Sequence, residues 1–195
     1  MASVENRIVS SAGSPFRVLD FGQVQVQIQV APLTEDNFRA HLAAETLRMT
    51  GLIKGRDRVV PRKAVVINDG SCELIPPPSI RKLQADWIKG HEDMLRLVCH
   101  GLGMIVPGML VRNTLTAVLW LATLPVPMKL LKDMDEALFW AIGEVDAFGG
   151  EVDAELRAGR RTAVEKYLRV ARDSTKALDE QLARRAQSQT ATGAG

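Results

Sequence analysis

Between residues 24 and 30 the chain alternates strictly, with Val24, Val26, Ile28 and Val30 set against Gln25, Gln27 and Gln29. A period of two belongs to a β-strand, whose successive side chains point to opposite sides, so the pattern predicts one buried and one wet face. The run FRVLDF at 16–21 is a second short strand, and Gly22-Gln23 occupies the place of a hairpin turn, so two antiparallel strands open the fold. Pro32 stops the second strand. Thr34, followed by Glu35 and Asp36, starts a helix with a capping hydroxyl and acids in its first turn, and Phe38, Leu42, Thr46 and Met49 line one face of it through to Gly51.

Ala64-Val65-Val66-Ile67, ending in Asn68-Asp69-Gly70, has the pattern of a central strand covered on both faces and followed by a turn. Pro76-Pro77-Pro78 bars a helix before Ser79, which is placed to act as the N-cap of one running to about His100, with Gly90 the place for a bend. Ile80, Leu83, Trp87, Met94, Leu95 and Val98 give that helix its apolar positions. Gly103 to Val106 reads as a buried strand, residues 110–123 as a nearly all-apolar helix, and Met128 to Leu131 as a last short strand. Asp133 caps a helix over 135–145, with Ala137, Leu138, Trp140, Ala141 and Ile142 facing in.

After Gly149-Gly150 the texture changes. Residues 151–187 are charged and helical in pattern, with Val164, Leu168, Ala171, Thr175, Leu178 and Leu182 at heptad-like spacing. The organisation expected is a flexible arm at 1–15, an α/β domain over 16–148, a long C-terminal helix over 151–187 and a loose tail at 188–195. That helix either docks on its own domain or pairs with a second copy.

Charge changes the picture by exclusion. Twenty-five Lys and Arg against 23 Asp and Glu leave a net charge of +2, without the concentrated basic face of a nucleic-acid binder. Cys72 and Cys99 are too few for a disulfide framework and lack CxxC spacing, so a cytoplasmic setting with reduced thiols is expected. The apolar stretch from Leu102 to Met128 is divided by Arg112 and Asn113 and punctuated by Pro107, Pro125 and Pro127, which argues for buried core rather than a membrane span.

A strand hairpin followed by βα units implies a mixed sheet of about five strands in the order β-β-α-β-α-β-α-β-α. Within it, the block Pro76-Pro77-Pro78, Arg81, Trp87, then Leu95-Arg96, Cys99-His100-Gly101, Leu110-Val111-Arg112, Leu119-Trp120-Leu121, Leu124-Pro125-Val126-Pro127 and Glu136-Ala137 with Trp140 resembles STAS-like bacterial proteins. These are loosely akin to the anti-sigma-factor antagonists and to the cytoplasmic domains of sulfate transporters. The resemblance spans about residues 16–145 and implies a non-enzymatic module acting by protein contact in bacterial signalling. The alternative it carries is binding of a small ligand, an anion or a lipid. In the antagonists a Ser at the start of the helix after the central strand is phosphorylated. Here the corresponding turn reads Ile75-Pro76-Pro77-Pro78-Ser79, which puts proline at the acceptor position.

No catalytic constellation, cofactor motif or metal set emerges from the residues. His91 and His100 are nine apart and fall on opposite sides of one helix, and His100 before Gly101 suits a helix C-terminus. Adjacent acids such as Glu92-Asp93 diverge, and no GxGxxG, Walker-type loop or GxSxG elbow is present. The interaction or ligand rim expected is Asp69, Ser79, Arg81 and Arg112. Asp69 ends the central strand, where α/β folds place their crevices, and Arg112 is a cation in the first turn of an apolar helix, paired with a carboxylate or turned toward an anionic ligand.

Overall fold

Asp20 sets the hairpin. Its Oδ1 accepts the Gly22 N–H at 2.8 Å, and Gly22 takes φ +81°, a left-handed conformation open to glycine. β2 (Phe16–Phe21) thus turns within two residues into β3 (Val24–Gln29), with Phe21 opposite Val24 and Phe16 opposite Gln29. This computed structural model describes residues 8–9, 14–54, 63–69, 76–106, 108 and 124–169. β1 (Ile8–Val9) pairs antiparallel with β2, within the segment read from sequence as an arm. From β3 onward every pairing is parallel, through β4 (Ala64–Asp69) and β5 (Cys99–Ile105) to β6 (Met128–Leu131). The result is one mixed sheet of six strands in sequential order, where about five were expected.

Parallel neighbours require a crossover, and helices supply it. α1 (Glu35–Lys54) joins β3 to β4, while α2 (Pro78–Gly90) and α3 (Glu92–Val98) join β4 to β5. Thr34 caps α1 reciprocally with Asn37: Thr34 Oγ1 accepts the Asn37 N–H at 3.3 Å and Asn37 Oδ1 accepts the Thr34 N–H at 2.9 Å. α2 departs from expectation. Its N-cap is Pro77, with no side-chain cap bond, so Ser79 lies exposed inside the first turn rather than capping it. Proline at N1 already supplies the required φ and has no N–H to satisfy.

The helix expected to run to His100 breaks at Gly90-His91 and ends at Val98, and β5 begins at Cys99 rather than at Gly103. The reason lies in the sheet. The Trp140 ring lies over Gly101 and Gly103, and a Cβ at Gly103 would sit 2.5 Å from that ring and 2.9 Å from Leu131. Gly101 and Gly103 pair with Val65 and Ile67 of β4, and their lack of side chains makes room for the indole. His100 is accordingly a strand residue, 3.6 Å from Glu144, and not a helix C-terminus.

The sheet has two unlike faces. α4 (Met134–Ala147) is capped by Asp133, whose Oδ1 accepts the Glu136 N–H at 2.9 Å, as the sequence indicates. With α5 (Ala154–Gly159) and α6 (residues 161–169) it covers Val24, Val26, Ile28, Val65, Ile67 and Leu131, and this is the main core. Gln23 clamps the layers, donating from Nε2 to the Lys63 carbonyl at 2.8 Å and accepting the Glu151 N–H on Oε1 at 2.7 Å. The C-terminal segment is not one continuous helix at its start. Arg160, at φ 37°, separates α5 from α6, and α6 lays Val164 and Leu168 onto its own domain. The stripe beyond Leu168 falls outside the described residues.

Candidate functional site

The second face carries the glutamines, and it is not wet. Gln25, Gln27 and Gln29 are 3%, 9% and 5% exposed. α1 lies over them, because a crossover helix between parallel strands must cover one face and the other is taken by α4 to α6. Among the described residues, Phe16, Phe38 and Ile80 form a buried cluster, with Leu33, Leu42 and Leu83 packed against it. Between this cluster and the sheet lies a cavity of about 200 Å³.

Its floor is the sheet face of β3, β4 and β5: the glutamines, Val66 and Asn68, and Leu102 and Met104. Parallel register sets Gln27 beside Asn68 and Asn68 beside Met104. The roof comes from α1 and α2 through Phe38, Leu42, Ile80, Trp87 and Ile88. Trp87 is fixed by its indole N–H, which donates to Thr46 Oγ1 at 3.0 Å, and by His91 stacked on it at 4.8 Å. Burying a carboxamide is costly unless it is hydrogen-bonded. Gln25 Oε1 accepts from Arg48 at 2.6 Å and Gln29 donates to the Ala31 carbonyl at 3.1 Å. Asn68 Oδ1, buried, has no partner.

Ionisable groups of the described lining cancel or stay neutral. Arg48 donates through Nε and Nη2 to Glu45 Oε2, at 3.1 and 2.6 Å. Burial pushes the Cys99 thiol up to about 11, so it is protonated and a poor nucleophile. His41 is buried beside Phe16 with Ser14 Oγ 3.2 Å from its Nδ1. Burial lowers its pKa below the ordinary 6.5, with Glu45 opposing that shift and Arg48 reinforcing it.

The unfolded chain therefore takes a proton on His41 before the folded one does, so the stabilising contribution is complete above pH 6.5 and is lost as pH falls below it. Urea unfolding of the wild type is expected to weaken by at most about 1.4 kcal/mol per pH unit in that window from this group. His41→Gln should flatten the slope, and an unchanged slope in that variant would assign the loss elsewhere.

Compared with family models, curated proteins and solved structures, the chain matches none. Its site is read from its own residues. Of the rim expected from sequence, Asp69 ends β4, and Ser79 and Arg81 are exposed on the first turn of α2. None of these three lines the cavity. Arg112 falls outside the described residues. Among the described residues no group of His, Cys, Asp and Glu could hold a metal, and no helix is long and apolar enough to cross a membrane. Sequence reasoning passed over Gln25, Gln27, Asn68, Glu45 and Arg48. One signal could have found the first two: a helix linking parallel strands has to roof the glutamine side of β3.

Proposed function

We propose that the domain is a small-ligand-binding module with a regulatory role, of STAS-like type and without catalytic chemistry, and that its site is the cavity between the sheet and α1–α2. The observation that carries this is the combination of an apolar chamber with an unsatisfied polar atom, Asn68 Oδ1, on its floor. Pockets that bind small molecules are mostly apolar with a few placed polar groups. Interiors that merely hold a fold together are packed to crystal-like density and leave few buried polar atoms unpaired. The protein contacts expected of such a module then have a route to the ligand, since α1 and α2 separate the cavity from the surface a partner would touch.

The test is thermal denaturation of the wild type and of Val66→Phe against a panel of small organic compounds. Val66 is on the cavity floor, so the larger ring occupies the space. Compounds that bind the cavity raise the wild-type Tm through linkage and leave the filled variant unmoved. The part of the tryptophan fluorescence response that Trp87→Phe abolishes gives a second readout from the roof, since Trp120 and Trp140 also emit. A panel with no compound that stabilises the wild type or perturbs Trp87, or with equal effects on the filled variant, would overturn the proposal.

A further inference from the structure

Resting on that reading, we infer that the cavity selects an uncharged amphiphile of small size, an apolar body bearing one amide or hydroxyl head that sits on the Gln27–Asn68 pair.

Size comes first. A dry cavity of about 150 Å³ admits benzene, so one of about 200 Å³ suits a molecule of about eight non-hydrogen atoms. A diacyl lipid or a nucleotide is far larger than that space.

The charge of the head follows from the lining. Glu45 and Arg48 neutralise each other at 2.6 Å. No other Lys, Arg, Asp or Glu occurs among the described lining residues. Among the described lining residues a carboxylate or ammonium would exchange water for mostly apolar walls without gaining a counter-ion, which is strongly unfavourable.

Its hydrogen bonding follows from the floor. Parallel pairing brings Gln27 and Asn68 side by side on the cavity face. Gln25 and Gln29, to either side of Gln27, are engaged by Arg48 and by the Ala31 carbonyl. Asn68 Oδ1 is buried and unpartnered, and no hydrogen bond of the Gln27 side chain is found among the described residues. Two adjacent carboxamides offer donors and acceptors together, the complement of an amide or alcohol and not of a hydrocarbon.

The test uses the full chain and three probes of equal chain length: hexanamide, hexanoate and hexylammonium, titrated by calorimetry and by tryptophan fluorescence at pH 7.5. Hexanamide is expected to bind with a dissociation constant on the order of 1 mM or tighter, a modest value for so few atoms. Both ions should bind at least about tenfold more weakly. Asn68→Leu, which keeps the number of side-chain heavy atoms and removes the acceptor, should weaken hexanamide by about tenfold, the loss of one buried hydrogen bond. Gln27→Leu provides the same readout should Asn68→Leu not fold.

Hexanoate or hexylammonium binding as tightly as hexanamide overturns the ligand class and leaves the cavity as a binding site. Silence from all three probes while the wider panel stabilises the wild type does the same. Silence from both overturns the site itself, and leaves water as the occupant of the cavity.

Discussion

Replacing Tyr167 by alanine is expected to cost about 3–5 kcal/mol, the range for truncating a large buried aromatic, and to lower Tm by roughly 6–20 °C for a chain of this size. Tyr167 is among the largest fully buried side chains, meets Phe21 edge-to-face at 5.6 Å, and donates its hydroxyl to Glu155 Oε2 at 2.7 Å. It therefore joins three segments: the opening hairpin, α5 and α6. Tyr167→Phe keeps the ring and loses one part-buried hydrogen bond, an expected cost of about 0.5–1.5 kcal/mol. The ion pairs nearby, Arg157 with Asp146 and Lys166 with Glu155, are exposed and cannot replace the lost packing. A chain ended at Gly150 would lose Leu156, Val164 and Tyr167 together and is expected not to fold, so its oligomeric state would say nothing about pairing through the C-terminal segment. A Tyr167→Ala melting curve within about 2 °C of wild type would remove α6 from the core.

What was legible in the sequence was local. Thr34 and Asp133 cap their helices because a side-chain oxygen satisfies an N–H three residues away, a relation visible in the linear chain. The hairpin at Gly22 and the break at Gly90 are likewise set by neighbours. What escaped was decided across distance. Alternation in 24–30 shows that the two faces of β3 differ, but not that both are covered, because the cover is supplied by α1 on one side and by α4 to α6 on the other. His100 was placed at a helix end since the apolar spacing continues to it. Pairing with Val65 and Ile67 of β4 makes Gly101 and Gly103 strand residues, and Trp140, forty residues on, takes the space their side chains would need. Gln27 and Asn68 are forty-one positions apart and become neighbours only through parallel register. Charge told least, because the expected rim of Asp69, Ser79 and Arg81 stands outside the cavity, while Glu45 and Arg48 resemble any solvated helix pair until β3 lies beneath them.

That last pair carries the second large effect. Arg48→Met is expected to destabilise the protein by about 3 kcal/mol, near the lower end of what removing one partner of a buried ion pair costs. The side chains of Arg48 and Glu45 are 18% and 10% exposed, so most of the solvent screening that normally cheapens such a loss is absent. Methionine replaces the arginine stem but leaves the Glu45 carboxylate without its counter-ion and Gln25 Oε1 without its donor. Adding Glu45→Gln removes the stranded charge, and the double variant should recover at least half the loss by urea unfolding. A double variant as unstable as the single would mean that the arginine contributes packing alone. The two variants also bear on ligand choice. With Arg48 gone and Glu45 present the chamber is anionic, so hexylammonium should overtake hexanamide; with both charges removed the preference for the uncharged head should return. The same two side chains would then set both the stability of the α1 roof and the charge of what fits beneath it.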